Sequence, residues 1–252
     1  HITPLEKERI SDPEAALDGR PLRLSSVRVC SPIPHPEQDI ICLGVNYAAH
    51  ADESAQFDRK AFLLDRKKAT YFSKRAYQTS GPDDLIPSYP ELVTSLDYEA
   101  ELAVIIGRDC KNVCERDAAA CIFGYTVLND VSARNLQTEH NQWYFGKSLD
   151  GFTPMGPCIV TEDEIPYPPA LSISSTVNGE LRQNSNTKYL LHSISEIIAE
   201  LSQGMTLRAG TIIATGTPAG VGMGMDPPRF LVPGDEVRCE IEGIGTLTNT
   251  VR

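Results

Sequence analysis

Short apolar tracts closed by glycine or proline run through this chain, and most have the length and β-branched content of strands. Residues 40–44, 71–74, 123–130, 157–160, 171–177 and 211–215 read this way. The stretch 96–107 passes from Asp97, Glu99 and Glu101 into the run Leu102-Ala103-Val104-Ile105-Ile106 and ends on Gly107, the pattern of a buried strand. Residues 236–247 alternate apolar and polar, and Asn178-Gly179 is a hairpin signal. Helical patterning is confined to four short segments. These are 48–55, the alanine-rich 115–122, 132–137 with Ser132 as its N-cap, and an amphipathic 193–203 with Gly204 as its stop. Residues 80–84 and 145–152 read as loops, and the charged segment 57–68 reads as a flap. A lead-in over 1–37 carries a strand-like run at 23–29 and a proline-punctuated turn at 31–36. Strands outweigh helices without a βαβ rhythm, so the expected class is β-rich α+β.

Bulk properties narrow the function classes. A chain of 252 residues with 41% hydrophobic and 23% charged residues can bury a full core. Its formal charge of −11 argues against nucleic acid or an anionic membrane as a partner. An anionic substrate would need positive charge supplied locally. Seven scattered cysteines with no CxxC pair read as reduced thiols of a cytoplasmic protein. No apolar run approaches membrane-spanning length and no signal-peptide pattern is present. The opening on His1 instead of Met reads as a start inside a longer sequence.

Candidate chemistry gathers at the strand ends. Glu99 and Glu101 lie two apart, so on a strand both carboxylates share a face. Like charges entering an apolar tract repel and lose solvation unless a cation sits between them. A solvated strand edge is the commoner origin of such a pair. Asp130 ends another strand, where a helix cap is the competing explanation. Three carboxylates without His or Cys suit a hard cation, Mg²⁺ or Mn²⁺, with Ca²⁺ also compatible. His50 and Glu53, three apart on a helix, suit a general base with its orienting acid, or an ordinary exposed pair. Lys147, between Gly146 and Ser148, is a candidate stabiliser of developing negative charge or a plain surface lysine. The glycine-rich stretch 215–222 offers backbone N–H groups and hydroxyls to a carboxylate but lacks P-loop and dinucleotide-turn patterns.

Taken in order, five motifs carry a resemblance. They are Gly44-Val45-Asn46-Tyr47-Ala48-Ala49-His50-Ala51-Asp52-Glu53, Asp97-Tyr98-Glu99-Ala100-Glu101-Leu102-Ala103-Val104-Ile105-Ile106-Gly107, Asn129-Asp130-Val131-Ser132-Ala133-Arg134-Asn135-Leu136-Gln137, Gly146-Lys147-Ser148-Leu149-Asp150, and Ala214-Thr215-Gly216-Thr217-Pro218-Ala219-Gly220-Val221-Gly222. From about residue 38 onward the chain resembles the fumarylacetoacetate hydrolase family. The resemblance implies a mixed β-sandwich or roll with few short helices over 38–252, preceded by the remainder of a small N-terminal segment over 1–37, and a homodimer. It implies Glu99, Glu101 and Asp130 as ligands of a divalent metal, and His50 with Glu53 as a catalytic dyad on a lid helix. Lys147 would stand beside the metal, and Thr217, Asp150 and Lys74 would contact the substrate. The implied activity is metal-dependent hydrolysis of a C–C bond in a β-diketo or 2-oxo acid. Isomerisation of a 2-hydroxy-diene dioate or decarboxylation of oxaloacetate would use the same site. A non-catalytic carboxylate-binding protein is the remaining reading, and the intact His50/Glu53 pair argues against it.

Overall fold

The computed structural model describes residues 28–62 and 66–252. Two sheets pack face to face around the main core. The first has the strand order β2 (Thr70–Lys74), β1 (Ile40–Gly44), β11 (Ile212–Ala214), β5 (Ala100–Ile106), β6 (Ile122–Asn129), β8 (Met155–Thr161). Only β1 and β11 run parallel within it. The second sheet has the order β10 (Glu180–Asn186), β9 (Ser172–Val177), β12 (Glu236–Ile241), β13 (Gly245–Val251), β3 (Leu85–Ile86). A two-stranded ribbon, β4 (Leu96–Asp97) with β7 (Ser132–Ala133), completes the pairing. The chain is a β-rich α+β fold, as its patterning predicts.

Strand β5 explains why the site lies where it does. It is buried along its whole length, so its apolar residues do not alternate with polar ones. Leu102, Val104 and Ile106 join the core shared with Ile173, Val237, Cys239 and Leu247 of the second sheet. Ala103 and Ile105 pack on the opposite face with Ile40, Leu128 and Ile212. Glu101 falls on that opposite face by the same alternation, and it stands across from Leu128. Asp130 is two residues further along, on the side of Leu128. The acids therefore meet on the face away from the sandwich core.

The helices cover this face or prop up the sheets. They are α1 (Ala48–Phe57), α2 (Arg59–Phe62), α3 (Arg134–Glu139), α4 (Tyr144–Lys147) and α5 (Ile194–Gly204). Helix α5 carries the predicted apolar face, with Ile194, Ile197, Ile198 and Leu201 buried, and Ser193 and Glu196 form a capping box. Gly204 is its last residue rather than the one beyond.

Several local expectations are corrected. Ser132 is not an N-cap: it is extended, pairs with Asp97 in the ribbon, and its hydroxyl donates to the Asp130 carbonyl. Helix α3 starts after Ala133 with no side-chain cap. The alanine-rich segment is a 3₁₀ helix over Glu115–Cys121. Helix α4 takes up residues 145–147 of the expected loop, starting one residue earlier at Tyr144. Of the flap, residues 59–62 are helical and 63–65 lie outside the described residues. The strand expected at 23–29 lies outside them up to Val27, and Arg28 and Val29 have no strand pairing. Asn178-Gly179 does form the hairpin turn, with φ of 51° and 78° joining β9 to β10.

Candidate active site

The three acids converge. Glu99, Glu101 and Asp130 are buried, and one oxygen from each lies within 4.8 Å of the others. Such crowding in a dry place costs free energy unless cations compensate. Lys147 Nζ donates to Glu99 Oε2 at 2.8 Å and to Asp130 Oδ2 at 2.7 Å. Arg134 Nη1 pairs with the other Glu99 oxygen at 2.7 Å, and Lys74 Nζ donates to Asp130 Oδ1 at 2.7 Å. Burial raises the Glu99 carboxyl, but Lys147 and Arg134 outweigh it and hold the group at about 2. Lys147, despite burial, is held above its ordinary value by Asp130 and Glu99.

Glu101 differs. It accepts the Gly216 N–H at 2.8 Å, and among the described residues no ion pair ends on it. Burial, then Asp130 and Glu99, push its carboxyl well above the usual range. A buried carboxylate with two anionic neighbours and no paired cation has the electrostatics of an ion site. The donor set is all oxygen. The cluster therefore fits a hard divalent cation held by Glu99, Glu101 and Asp130.

The dyad forms as spaced. Tyr47 is extended and α1 begins after it, which turns His50 and Glu53 onto one face. His50 Nδ1 lies 2.9 Å from Glu53 Oε1. A carboxyl group at that distance suits the tautomer with its proton on Nδ1, which leaves Nε2 as the nitrogen able to accept a proton. Ser54 Oγ is a long 3.4 Å from Nε2. Glu53 in turn accepts the Gly220 N–H at 3.0 and 3.2 Å, which ties α1 to the loop after β11.

His50, Glu99, Arg134, Lys147 and Thr217 line one small cavity, roofed by Phe62, Phe72 and Trp143. The Trp143 ring stands 5.4 Å from Phe62 and 5.3 Å from Phe72, and Lys147 Nζ lies 5.3 Å over Phe72. An added Cβ on Gly44 would come within 2.3 Å of the Trp143 ring, so the roof rests on this glycine.

Three expected substrate contacts are placed differently from one another. Thr217 lines the cavity, but its hydroxyl donates to the Ala100 carbonyl at 2.9 Å and accepts from Gln183 Nε2 at 2.7 Å. Lys74 is fully buried and gives its protons to Asp130, the Val131 carbonyl and the Lys147 carbonyl, so it acts as a counter-ion and strut. Asp150 is not brought to the cavity. It is exposed at a separate depression near Tyr77 and Leu85, because the chain turns away after α4.

Sequence reasoning missed Arg134, Asp97 and Gln137 as site residues. Arg134 Nε donates to Asp97 Oδ2 at 2.8 Å, and its Nη1 also donates to Gln137 Oε1 at 3.0 Å. Asp97 further accepts the N–H groups of Tyr98, Gly222 and Met223. Arg134 Nη2 is buried without a protein partner. The signal was the three-residue spacing of Arg134 and Gln137, which puts both on one face of a helix just after Asp130.

Comparison with known proteins agrees with this geometry. The fumarylacetoacetate (FAA) hydrolase C-terminal family model matches residues 39–252. The chain belongs to the fumarylacetoacetate hydrolase family. The oxaloacetate tautomerase YisK of Bacillus subtilis is 45% identical over 228 residues, covering 90% of this chain and 74% of that protein. Among solved structures, a fumarylacetoacetate hydrolase from Exiguobacterium antarcticum superposes with a TM-score of 0.81 at 44% identity, covering 94% of this chain and 82% of that one. A 2-hydroxyhepta-2,4-diene-1,7-dioate isomerase from Mycobacterium marinum gives a TM-score of 0.74 at 36% identity, with coverage of 93% and 81%. The chain is thus an enzyme of this family with an acidic cluster suited to a divalent metal. Among the described residues no helix is long and apolar enough to cross a membrane.

Proposed function

We propose that the protein interconverts keto and enol forms of a 2-oxo acid by moving a proton at the carbon beside the keto group. The observation that carries this reading is the shared enclosure. His50, Glu99 of the acidic cluster, Lys147 and Arg134, whose Nη2 is buried without a protein partner, line one small cavity, and Glu53 stands 2.9 Å behind His50. Arg134 Nη2 is a buried donor suited to a substrate carboxylate. His50 Nε2 takes the proton from carbon, and Glu53 stabilises the imidazolium that results. Lys147 offers positive charge to the oxygen where the enolate charge collects. Mg²⁺ or Mn²⁺, held by Glu99, Glu101 and Asp130, supplies Lewis-acid polarisation when bound.

Hydrolytic C–C cleavage, the leading expectation from sequence, becomes the second reading. It needs the same base plus a water delivered to a carbonyl carbon, whereas proton transfer needs only groups already in the cavity. The names of relatives support this order: one is a tautomerase of oxaloacetate and another an isomerase of a diene dioate. The solved structure from Exiguobacterium antarcticum, titled a fumarylacetoacetate hydrolase, keeps the hydrolytic reading in view. We also infer a homodimer, checked by sedimentation. Seven free cysteines support a reducing, cytoplasmic setting.

The test follows enol absorbance of oxaloacetate and pyruvate release from acetylpyruvate, with Mg²⁺, Mn²⁺ or EDTA. Metal-dependent interconversion is expected, with His50→Ala losing roughly 10²–10⁴-fold in rate while binding Mn²⁺ normally. Full activity in that variant would overturn the role of His50. Pyruvate release without enol interconversion would restore the hydrolase reading.

A further inference from the structure

The acids of the site and the residue between Asp97 and Glu99 face different ways. Glu101 lies on the face away from the sandwich core, whereas Tyr98 belongs to that core together with Ala100 and Leu102. Tyr98 is fully buried, and a buried tyrosine needs a partner for its hydroxyl. It finds one in the loop after β11, where Tyr98 Oη donates to the Gly220 carbonyl at 2.8 Å. Gly220 is also the residue whose N–H is received by Glu53, at 3.0 and 3.2 Å. Glu53 Oε1 in turn lies 2.9 Å from His50 Nδ1. One hydroxyl in the core is thus linked, through a single glycine, to the orienting acid of the dyad.

The loop needs a hold at this point. Gly220 has φ of 104°, and a residue with glycine's freedom does not by itself fix where its N–H points. Thr217 Oγ1 pins the loop three residues earlier by donating to the Ala100 carbonyl at 2.9 Å. Asp97 pins it further on by accepting the N–H groups of Gly222 at 2.7 Å and Met223 at 3.0 Å. Between these anchors the Tyr98 hydroxyl holds Gly220 itself. The Glu53 carboxyl rests against the same loop, since an added Cβ on Gly224 would lie 2.5 Å from Glu53 Cδ.

We infer that Tyr98 is a positioning residue for the dyad: by holding Gly220 it sets the direction of Glu53 and, through Glu53, keeps the His50 proton on Nδ1. The inference rests on the reading of His50 as the base. Tyr98 does not line the cavity, so it acts on the reaction only through Gly220 and Glu53. Its ring fills core space that phenylalanine would fill equally, and the hydroxyl is the part that matters. Without it Glu53 takes several orientations and the imidazole proton divides between the two nitrogens. The fraction of molecules with Nε2 free to accept a proton then falls.

Tyr98→Phe tests this, because it removes the hydroxyl and keeps the ring. Nitrogen NMR of ¹⁵N-labelled protein with Mg²⁺ added, at about pH 8, reads which imidazole nitrogen carries the proton. The His50 signals are assigned by their loss in His50→Ala. Wild-type protein is expected to show the Nδ1–H tautomer and Tyr98→Phe a mixture of both. In the oxaloacetate enol assay, kcat of the variant is expected to fall about tenfold or more with KM little changed. Tyr89→Phe is the control. Tyr89 Oη donates to the Asp150 carbonyl at 3.0 Å, away from the dyad, and its loss should move neither readout. Tyr98→Met removes the same hydroxyl on a more adaptable side chain and serves where the phenylalanine variant does not fold. An unchanged tautomer in the Tyr98 variants, or a fall in kcat matched by Tyr89→Phe, would overturn the inference. The tautomer is read without turnover. A shifted tautomer in a protein that interconverts no 2-oxo acid therefore removes the proposed reaction and leaves Tyr98 its role.

Discussion

Arg134 is 1% exposed and serves two buried acids, Asp97 and Glu99. Removing one member of a buried charge network leaves the others uncompensated, at a cost of about 3–5 kcal/mol. Arg134→Ala is therefore expected to lower the urea midpoint strongly even in metal-free protein. A loss below about 1 kcal/mol, the range of an exposed pair, would show that the network is not dry. Val45 tells a second story at the same scale. It adopts φ of 60°, a region that a β-branched side chain avoids, and it does so on the wall of the catalytic cavity. Strain of this kind costs of order 1–3 kcal/mol, while glycine would add back about 0.5–1 kcal/mol of unfolded-state entropy. Val45→Gly should raise the melting temperature and lower kcat, because the turn that positions α1 loses its stiffness. A lower melting temperature would count against stored strain.

At the level of elements, Glu53 ties α1 to the loop after β11 by receiving the Gly220 N–H. Gly220 has φ of 104°, and an added Cβ would sit 2.0 Å from the Arg182 carbonyl oxygen. Gly220→Ala must push the loop away from β10 and take the N–H with it. The expected outcome is a fall in kcat with Mn²⁺ affinity little changed, since Glu99, Glu101 and Asp130, the proposed ligands, belong to other parts of the chain. Equal losses in both would mean that the loop supports the whole cage. This division of labour was partly legible. His50 and Glu53 declared a helix face by their spacing, and the run 102–106 declared a strand. Helix α4 did not, because Gly146 marks a loop in sequence. In the structure its missing Cβ is a packing need: an added one would lie 2.5 Å from the Gln137 backbone nitrogen. Ser132 misled for a related reason, since its local preference for capping yields to pairing with Asp97 in the ribbon.

Across the whole molecule, the buried acids tie folding to pH. Glu101 has a native pKa raised above its unfolded value, so the stability it contributes is present below about pH 4.3 and is lost as pH rises through the raised value. Glu99, held at about 2, works the other way: its contribution is present above about pH 4.3 and is lost as pH falls toward 2. In EDTA the protein should therefore lose stability between pH 5 and 8 through Glu101, and Glu101→Gln should flatten that slope. Added Mn²⁺ should raise the melting temperature of the wild-type protein more at pH 8 than at pH 6, because the ion competes with a proton. A stabilisation independent of pH would remove Glu101 from the ligand set. The sandwich was readable from the strand rhythm, but the burial of Arg134, Lys74 and Lys147 was not. Their partners come from distant parts of the chain, 37 to 73 residues away in the cases of Asp97 and the Lys147 carbonyl. The dyad stands on α1 alone, with no second imidazole among the described residues that line the cavity. For the proposed reaction this is a statement about stereochemistry. One base on one wall removes and returns hydrogen on a single face of the carbon, so oxaloacetate equilibrated in D₂O should exchange one of its two methylene hydrogens and spare its twin.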